Sequence, residues 1–189
     1  MRKGGFCRHL VTFTKDGGGK MKKFFAVFAV LGSMGLNAEL LKLDSRFIQD
    51  AGERNIRGWK FNAVKSYEPF GDVNAVMKNG VAGVRLASKG KPTTIYLNDR
   101  FAVSTGDCLT VSAMVCGKGS GSIGVFQYGE RWKWMKTQGD TFKVDATEPY
   151  LVRQRIVIPP GVSFVRPSIT SASGEVFVFG FQVEKGMPK

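Results

Sequence analysis

Residues 175–184 read EVFVFGFQVE, and the alternation in this one stretch decides the fold class. Successive side chains of a β-strand point to opposite faces, so a period of two marks a strand. Strict alternation places Phe177, Phe179, Phe181 and Val183 on one face and Val176, Val178 and Gln182 on the other. The phenylalanine face is therefore expected to be core.

Working outward, the same pattern recurs through the chain, cut each time by Gly, Pro, Asn or Asp. Candidate strands are RGWKFNAV (57–64), VAGVRLAS (81–88), TTIYL (93–97), CLTVSAMV (108–115), SIGVFQYG (122–129), RWKWMKT (131–137), PYLVRQRIVI (149–158) and SFVRPSI (163–169). Helical spacing is almost absent. With the closing stretch this makes about nine strands, which predicts an all-β, two-sheet antiparallel β-sandwich. PPG at 159–161 and KGSGS at 118–122 read as turn or loop punctuation.

The N-terminal part has a different character. Lys22 and Lys23 precede an unbroken apolar run, FFAVFAVL (24–31), and a small-residue exit, GSMGLNA (32–38). This is the three-part pattern of a secretory signal peptide over residues 21–38, with removal expected after Ala38. The run is too short to cross a bilayer, which needs about 20 apolar residues, and it has no polar face to make it an amphipathic helix. KDGGGK (15–20) reads as a translated ribosome-binding region, because three Gly codons are GGN triplets just before Met21. Residues 1–20 are thus expected to be an untranslated upstream segment. Residues 39–189 are expected to form a single β-sandwich domain, secreted, periplasmic or on the cell surface.

Removing residues 1–38 leaves 21 Lys and Arg against 14 Asp and Glu, a net charge of +7. A basic surface attracts any polyanion, and export favours an acidic polysaccharide over nucleic acid. The basic residues are scattered without a run of five, as on a solvated surface. The only histidine, His9, and Cys7 precede the expected start. Cys108 and Cys116 lie eight residues apart on one expected strand, a separation of about 26 Å, too far to bridge each other. They read as small buried residues.

Catalytic patterns are missing. The acidic residues lie mostly in turn contexts such as GDV, NDR and GDC, no G-x-S-x-G, H-E-x-x-H or paired C-x-x-C occurs, and no enzyme activity is expected. GSGSIG (119–124) fits G-x-G-x-x-G, but phosphate cradling needs those glycines to open a helix. Here they lead into another strand, so a hairpin loop is the expected reading.

The aromatics are more informative. In QYGERWKWMK (127–136), alternation puts Trp132 and Trp134 on one side of a strand, Arg131 and Lys133 on the other, and Tyr128 across a short turn. Indoles about 6.6 Å apart along a strand offer a platform for sugar rings, stacking on apolar C–H faces while their N–H tips bond hydroxyls. The competing reading packs at least one of the two indoles in the core, and spacing alone favours it. Trp59, beside Gly58 in an alternating segment, reads as structural. In YLVRQRIVI, Arg153 and Arg155 fall on the outer side of a strand. If that side shares a face with Trp132 and Trp134, the surface suits a uronate-containing polysaccharide; otherwise they are two solvated arginines.

In order along the chain, SRFIQD, Gly58–Trp59, GVAGVRLAS, IYLNDRFAVSTGDCLTVSAMV, RQRIVIPPGVSFVRPSI and GEVFVFGFQVEKG resemble the carbohydrate-binding modules of the cellulose- and xylan-binding type. These belong to the galactose-binding-like jelly-roll superfamily. The resemblance spans residues 45–186. It implies a non-catalytic jelly-roll β-sandwich, often ligand-binding and usually fused to an enzyme. Joined to the reading of the aromatics and arginines above, the expectation is a module that binds a polysaccharide or cell-surface glycan, acidic or plant-type, at Tyr128, Trp132, Trp134, Arg153 and Arg155. Such modules often hold a structural calcium with Asp residues of the closing strand. That strand here lacks them, and although Glu184 and Asp44 remain as oxygen donors, no calcium, other metal or cofactor is expected. The alternative is a structural or adhesive cell-surface sandwich without sugar binding.

Overall fold

The computed structural model describes residues 39–41, 47–50, 56–61 and 71–186. The expected leader, the start at Met21, His9, Cys7 and Asp44 lie outside these residues.

Nine strands follow in order: β1 (Glu39–Leu40), β2 (Trp59–Phe61), β3 (Gly71–Lys78), β4 (Val81–Ser88), β5 (Thr93–Leu97), β6 (Phe101–Ala102), β7 (Cys108–Tyr128), β8 (Trp134–Val157) and β9 (Phe164–Gly186). Every pairing is antiparallel. The last three strands are long because each serves both layers of the sandwich. The first half of β7 pairs with the ends of β8 and β9, and its second half with their beginnings. β4 and then β3 extend one layer from the second half of β9, while β5 and then β2 extend the other from its first half. The two layers are one folded sheet, a two-layer antiparallel jelly-roll sandwich. A register shift at Cys116, next to Gly117 with φ +121°, marks the bend in β7.

Between the layers lies a core built from alternate positions: Val84 and Leu86, Leu109, Val111 and Val115, Ile123 and Val125, Ile156, Val165 and Ile169. Trp59 is buried there as expected, stacked on Phe47 at 5.2 Å and edge-on to Phe181 at 5.7 Å. The entry to β7 is pinned by Asp107. Its carboxylate accepts from Ser104 N at 2.7 Å and pairs with Lys185 Nζ at 2.8 Å. Burial alone raises an acid's pKa, but the Lys185 and Ser104 hydrogen bonds outweigh it and hold Asp107 below its ordinary value.

Four readings of the sequence are corrected. First, the phenylalanines of β9 do not share a face. Val176, Val178, Phe181 and Val183 are core, whereas Phe177 and Phe179 point to the opposite side. Ser112 pairs with Gln182 but Met114 pairs with Phe179, so Gly180 and Phe181 together oppose Ala113. This is a β-bulge, and one extra residue inverts the phase of everything beyond it. Gly180 permits it with φ +56°.

Second, KGSGS and GSGSIG are not a loop but the middle of β7. These glycines serve close backbone packing: a Cβ on Gly119 would sit 2.1 Å from Ser173 O, and one on Gly124 2.2 Å from Gln138 O. Third, GDV, read as a turn context, opens a strand instead: Gly71–Lys78 is β3. Fourth, RWKWMKT is not one strand. Glu130–Trp132 forms a single 3-10 turn in which Arg131 and Trp132 have φ of +53° and +63°, and β8 begins only at Trp134. The turn at 159–161 is present, with Gly161 at φ +84°, and Cys108 and Cys116 are buried, unpaired thiols on one strand.

Candidate functional site

The register brings an aromatic strip together at one end of the layer made from β5, β9, β7 and β8. Tyr128 ends β7, and it pairs with Trp134 on β8 and with Phe164 on β9. One row further in, Phe126 pairs with Arg166, and Tyr96 of β5 pairs with the neighbouring Ser168. Because side chains alternate, Tyr128, Phe164, Arg166 and Tyr96 stand on the outer face while Val165 and Ile95 between them enter the core.

Neither Trp132 nor Trp134 is core: they are 41% and 59% exposed, against the expectation for at least one of them. The reason is the 3-10 turn, which lifts Trp132 off the strand and breaks the alternation on which that expectation rested. The two indoles are nevertheless not equivalent. Phe164 stacks on Trp132 with centroids 4.6 Å apart at 24°, and the Arg100 guanidinium lies over the same ring, 3.0 Å from its centroid. A phenyl ring and a guanidinium cannot share one face at these distances, so Trp132 is sandwiched and offers its edge. Trp134 is the more open indole. Tyr128 completes the group, 6.4 Å from Trp132 and tilted at 58°.

Arg166 sits between two tyrosines, 5.5 Å from the Tyr96 ring and 5.6 Å from the Tyr128 ring. Its Nε is buried and has no hydrogen-bond acceptor among the described residues. Burial pushes the Tyr128 phenol up from its ordinary pKa, with Arg166 partly opposing the shift. Tyr128 therefore stays a neutral hydroxyl at neutral pH, able both to donate and to accept.

Of the residues expected at the site, Tyr128, Trp132 and Trp134 come together and Arg153 and Arg155 do not join them. Arg153 pairs with Ser112 and Arg155 with Thr110, at the other end of β7 and in the other layer. There Arg153 lies 3.9 Å from Glu184, and Arg155 Nε donates to Cys108 Sγ. Arg166 and Phe164, which the sequence reading passed over, were detectable from SFVRPSI, where they share the face opposite Val165. Nothing in the sequence marks Arg100, a loop residue between β5 and β6.

The opposite layer carries a concavity. Phe177 and Phe179 floor an open groove of about 960 Å³, with Cys116, Val76 and Ala146 beside them. Lys78 of β3 reaches across it to Thr147 O at 2.6 Å and to Glu148 at 3.6 Å on β8. Phe179 lies flat over Gly83, where a Cβ would fall 2.3 Å from its ring. Burial raises the Cys116 thiol, with Lys78 opposing and Glu148 adding to the shift, so the thiol is protonated and unreactive at neutral pH. Among the described residues no cluster of three His, Cys, Asp or Glu side chains is placed to hold a metal ion, and no helix is long and apolar enough to cross a membrane.

No protein-family model and no curated protein sequence matches the chain. Solved structures match in shape. The family 11 carbohydrate-binding module of the Clostridium thermocellum cellulosomal cellulase Lic26A-Cel5E superposes with a TM-score of 0.51 at 10% identity, covering 79% of this chain and 95% of that one. The CBM22-1 and GH10 modules of Clostridium thermocellum endo-1,4-β-D-xylanase 10B, in complex with xylohexaose, give 0.53 at 16% identity over 78% of this chain and 30% of that one. The enzymatically active domain of tailspike protein 4 from bacteriophage CBA120 gives 0.53 at 9% identity over 69% of this chain and 20% of that one. This chain thus spans less than a third of the xylanase and tailspike structures. At such identities the likeness is one of fold, and with the strand order and two-layer core it gives this chain the jelly-roll β-sandwich of the carbohydrate-binding modules.

Proposed function

We propose that the chain is an exported, non-catalytic carbohydrate-binding module that holds a polysaccharide or cell-surface glycan on the strip of Tyr128, Trp132 and Trp134. The observation that carries this reading is the open Trp134 indole, 59% exposed and in register with Tyr128 on the outer face of the sheet. A sugar ring stacks its apolar face on an exposed aromatic, while nearby N–H and O–H groups bond its hydroxyls. The fold supports the reading, since the family 11 carbohydrate-binding module shares it over 79% of this chain. Export rests on the leader read at residues 21–38, and residues 39–189 are the binding domain.

Calorimetric titration with cello-, xylo- and uronate-containing oligosaccharides should show weak binding, roughly 10–1000 μM. Trp134→Ala should abolish it without lowering the melting temperature, because the indole supports no core contact. The second reading, a structural or adhesive sandwich, has Leu151 and Val157 in its favour, 55% and 56% exposed on the other layer. It predicts no glycan binding and self-association or protein capture that Leu151→Ser weakens.

A further inference from the structure

The strip holds two cations that the fold does not neutralise. Arg57, Arg85 and Arg153 each face a carboxylate, of Asp50, Glu175 and Glu184 respectively. Among the described residues Arg100 and Arg166 have no such partner, and the carboxylates adjacent in sequence, Asp99 and Glu130, are exposed and pair with neither. Exposed Arg131, Lys133 and Lys136 add further positive charge around the same turn.

How the two guanidiniums are held determines what remains of them. The Arg100 guanidinium carbon lies 3.0 Å from the Trp132 ring centroid, and Arg166 is set between Tyr96 and Tyr128. A guanidinium held against aromatic rings keeps its N–H donors in its own plane, directed outward from its edge. In Arg166, whose Nε is buried, the donors that could meet a ligand are those of the terminal nitrogens. A fixed, planar fork of donors matches a carboxylate or another oxyanion. The rings that carry the two arginines, Trp132 and Tyr128, belong to the same strip as Trp134, the open indole on which the sugar would rest.

We propose that Arg100 and Arg166 make this strip selective for glycans bearing an oxyanion, the sugar ring resting on Trp134 and the anionic group meeting the guanidinium edges. The assignment rests on the carbohydrate-binding reading of the same strip, and it moves the selectivity from Arg153 and Arg155 to two arginines in contact with the aromatics. The oxyanion is a uronate carboxylate or a sulfate ester, which present the same chemistry to the fork.

The test titrates the full chain with oligogalacturonate, its fully methyl-esterified form, and a sulfated galacto-oligosaccharide, at low and at moderate salt. The acid should bind about tenfold or more tightly than the ester, as expected for hydrogen bonds to a charged group, and the advantage should shrink with salt. Arg100→Gln and Arg166→Gln should each weaken binding of the acid by about tenfold and leave the ester unaffected. Lys143→Gln, which removes the same charge from a distant part of β8, should preserve the preference. Arg100 is an exposed loop residue, so its variant remains decisive if Arg166→Gln fails to fold. Tighter binding of the sulfated sugar than of the uronate keeps the arginine assignment and identifies the anion as sulfate. Equal affinity for acid and ester, or a preference that survives both substitutions, overturns the selectivity while leaving the carbohydrate-binding reading in place. No binding of any of the three overturns the selectivity, and if cello- and xylo-oligosaccharides also fail to bind, the carbohydrate-binding reading falls with it.

Discussion

Replacing Phe181 and, separately, Phe177 by alanine tests the inverted phase of β9. The two residues are four apart, and simple alternation gives them the same environment and the same energetic role. In the structure Phe181 is fully buried and meets Trp59 edge-on at 5.7 Å, whereas Phe177 is half-buried and lines an open groove. Removing a fully buried phenylalanine leaves a cavity and costs about 3–5 kcal/mol. Truncating the half-buried ring leaves no enclosed void, and its lost burial costs about 1–1.5 kcal/mol. At about 2–4 °C per kcal/mol for a chain of this size, 4 kcal/mol for Phe181→Ala is a drop of about 8–16 °C, against about 2–6 °C for Phe177→Ala. Thermal unfolding followed by circular dichroism measures both. Equal shifts, or a larger one for Phe177→Ala, would refute the bulge at Gly180 and restore a single phenylalanine core face.

The bulge itself should resist substitution: Gly180→Ala forces a Cβ into a left-handed conformation and should destabilise by about 1–2 kcal/mol, measurable by urea unfolding. Asp107 should dominate a local acid response. Its folded pKa lies below the ordinary value, so its contribution is present at neutral pH and is lost as pH falls below about 4; Asp107→Asn should lower stability at pH 7 and flatten the acid limb of the melting curve, and an unchanged limb would exclude it. Cys108 and Cys116 are buried and unpaired, so reductant should leave the melting temperature unchanged and both thiols should react with a thiol reagent only on unfolding. A fall of several degrees on reduction would reveal a disulfide.

How much of this was legible depends on the range of the interaction concerned. Period-2 alternation is a local property, and it places β4 and β5 at their observed limits and buries Trp59. What it misses is set by partners distant in sequence. The phase of β9 turns on how Ala113 of β7 accommodates Gly180 and Phe181, and the Gly119–Gly124 run is strand because the β8 and β9 backbones press against it. The site shows the same division. Tyr128 and Trp134 meet across a short hairpin and could be paired from sequence, whereas Arg100 reaches Trp132 from a loop some thirty residues away. Arg153 and Arg155 were misplaced relative to the indoles because β8, read as two short strands, is one bent strand with its ends in different layers.

The most direct test of the central claim is one calorimetric comparison, wild type against Trp134→Ala, with the glycan that binds best among neutral and uronate-containing oligosaccharides. Binding in the range of roughly 10–1000 μM that disappears in the variant, with an unchanged melting temperature, is the predicted result. Equal binding by the two proteins, or no glycan binding by the wild type, would contradict a carbohydrate platform at this strip.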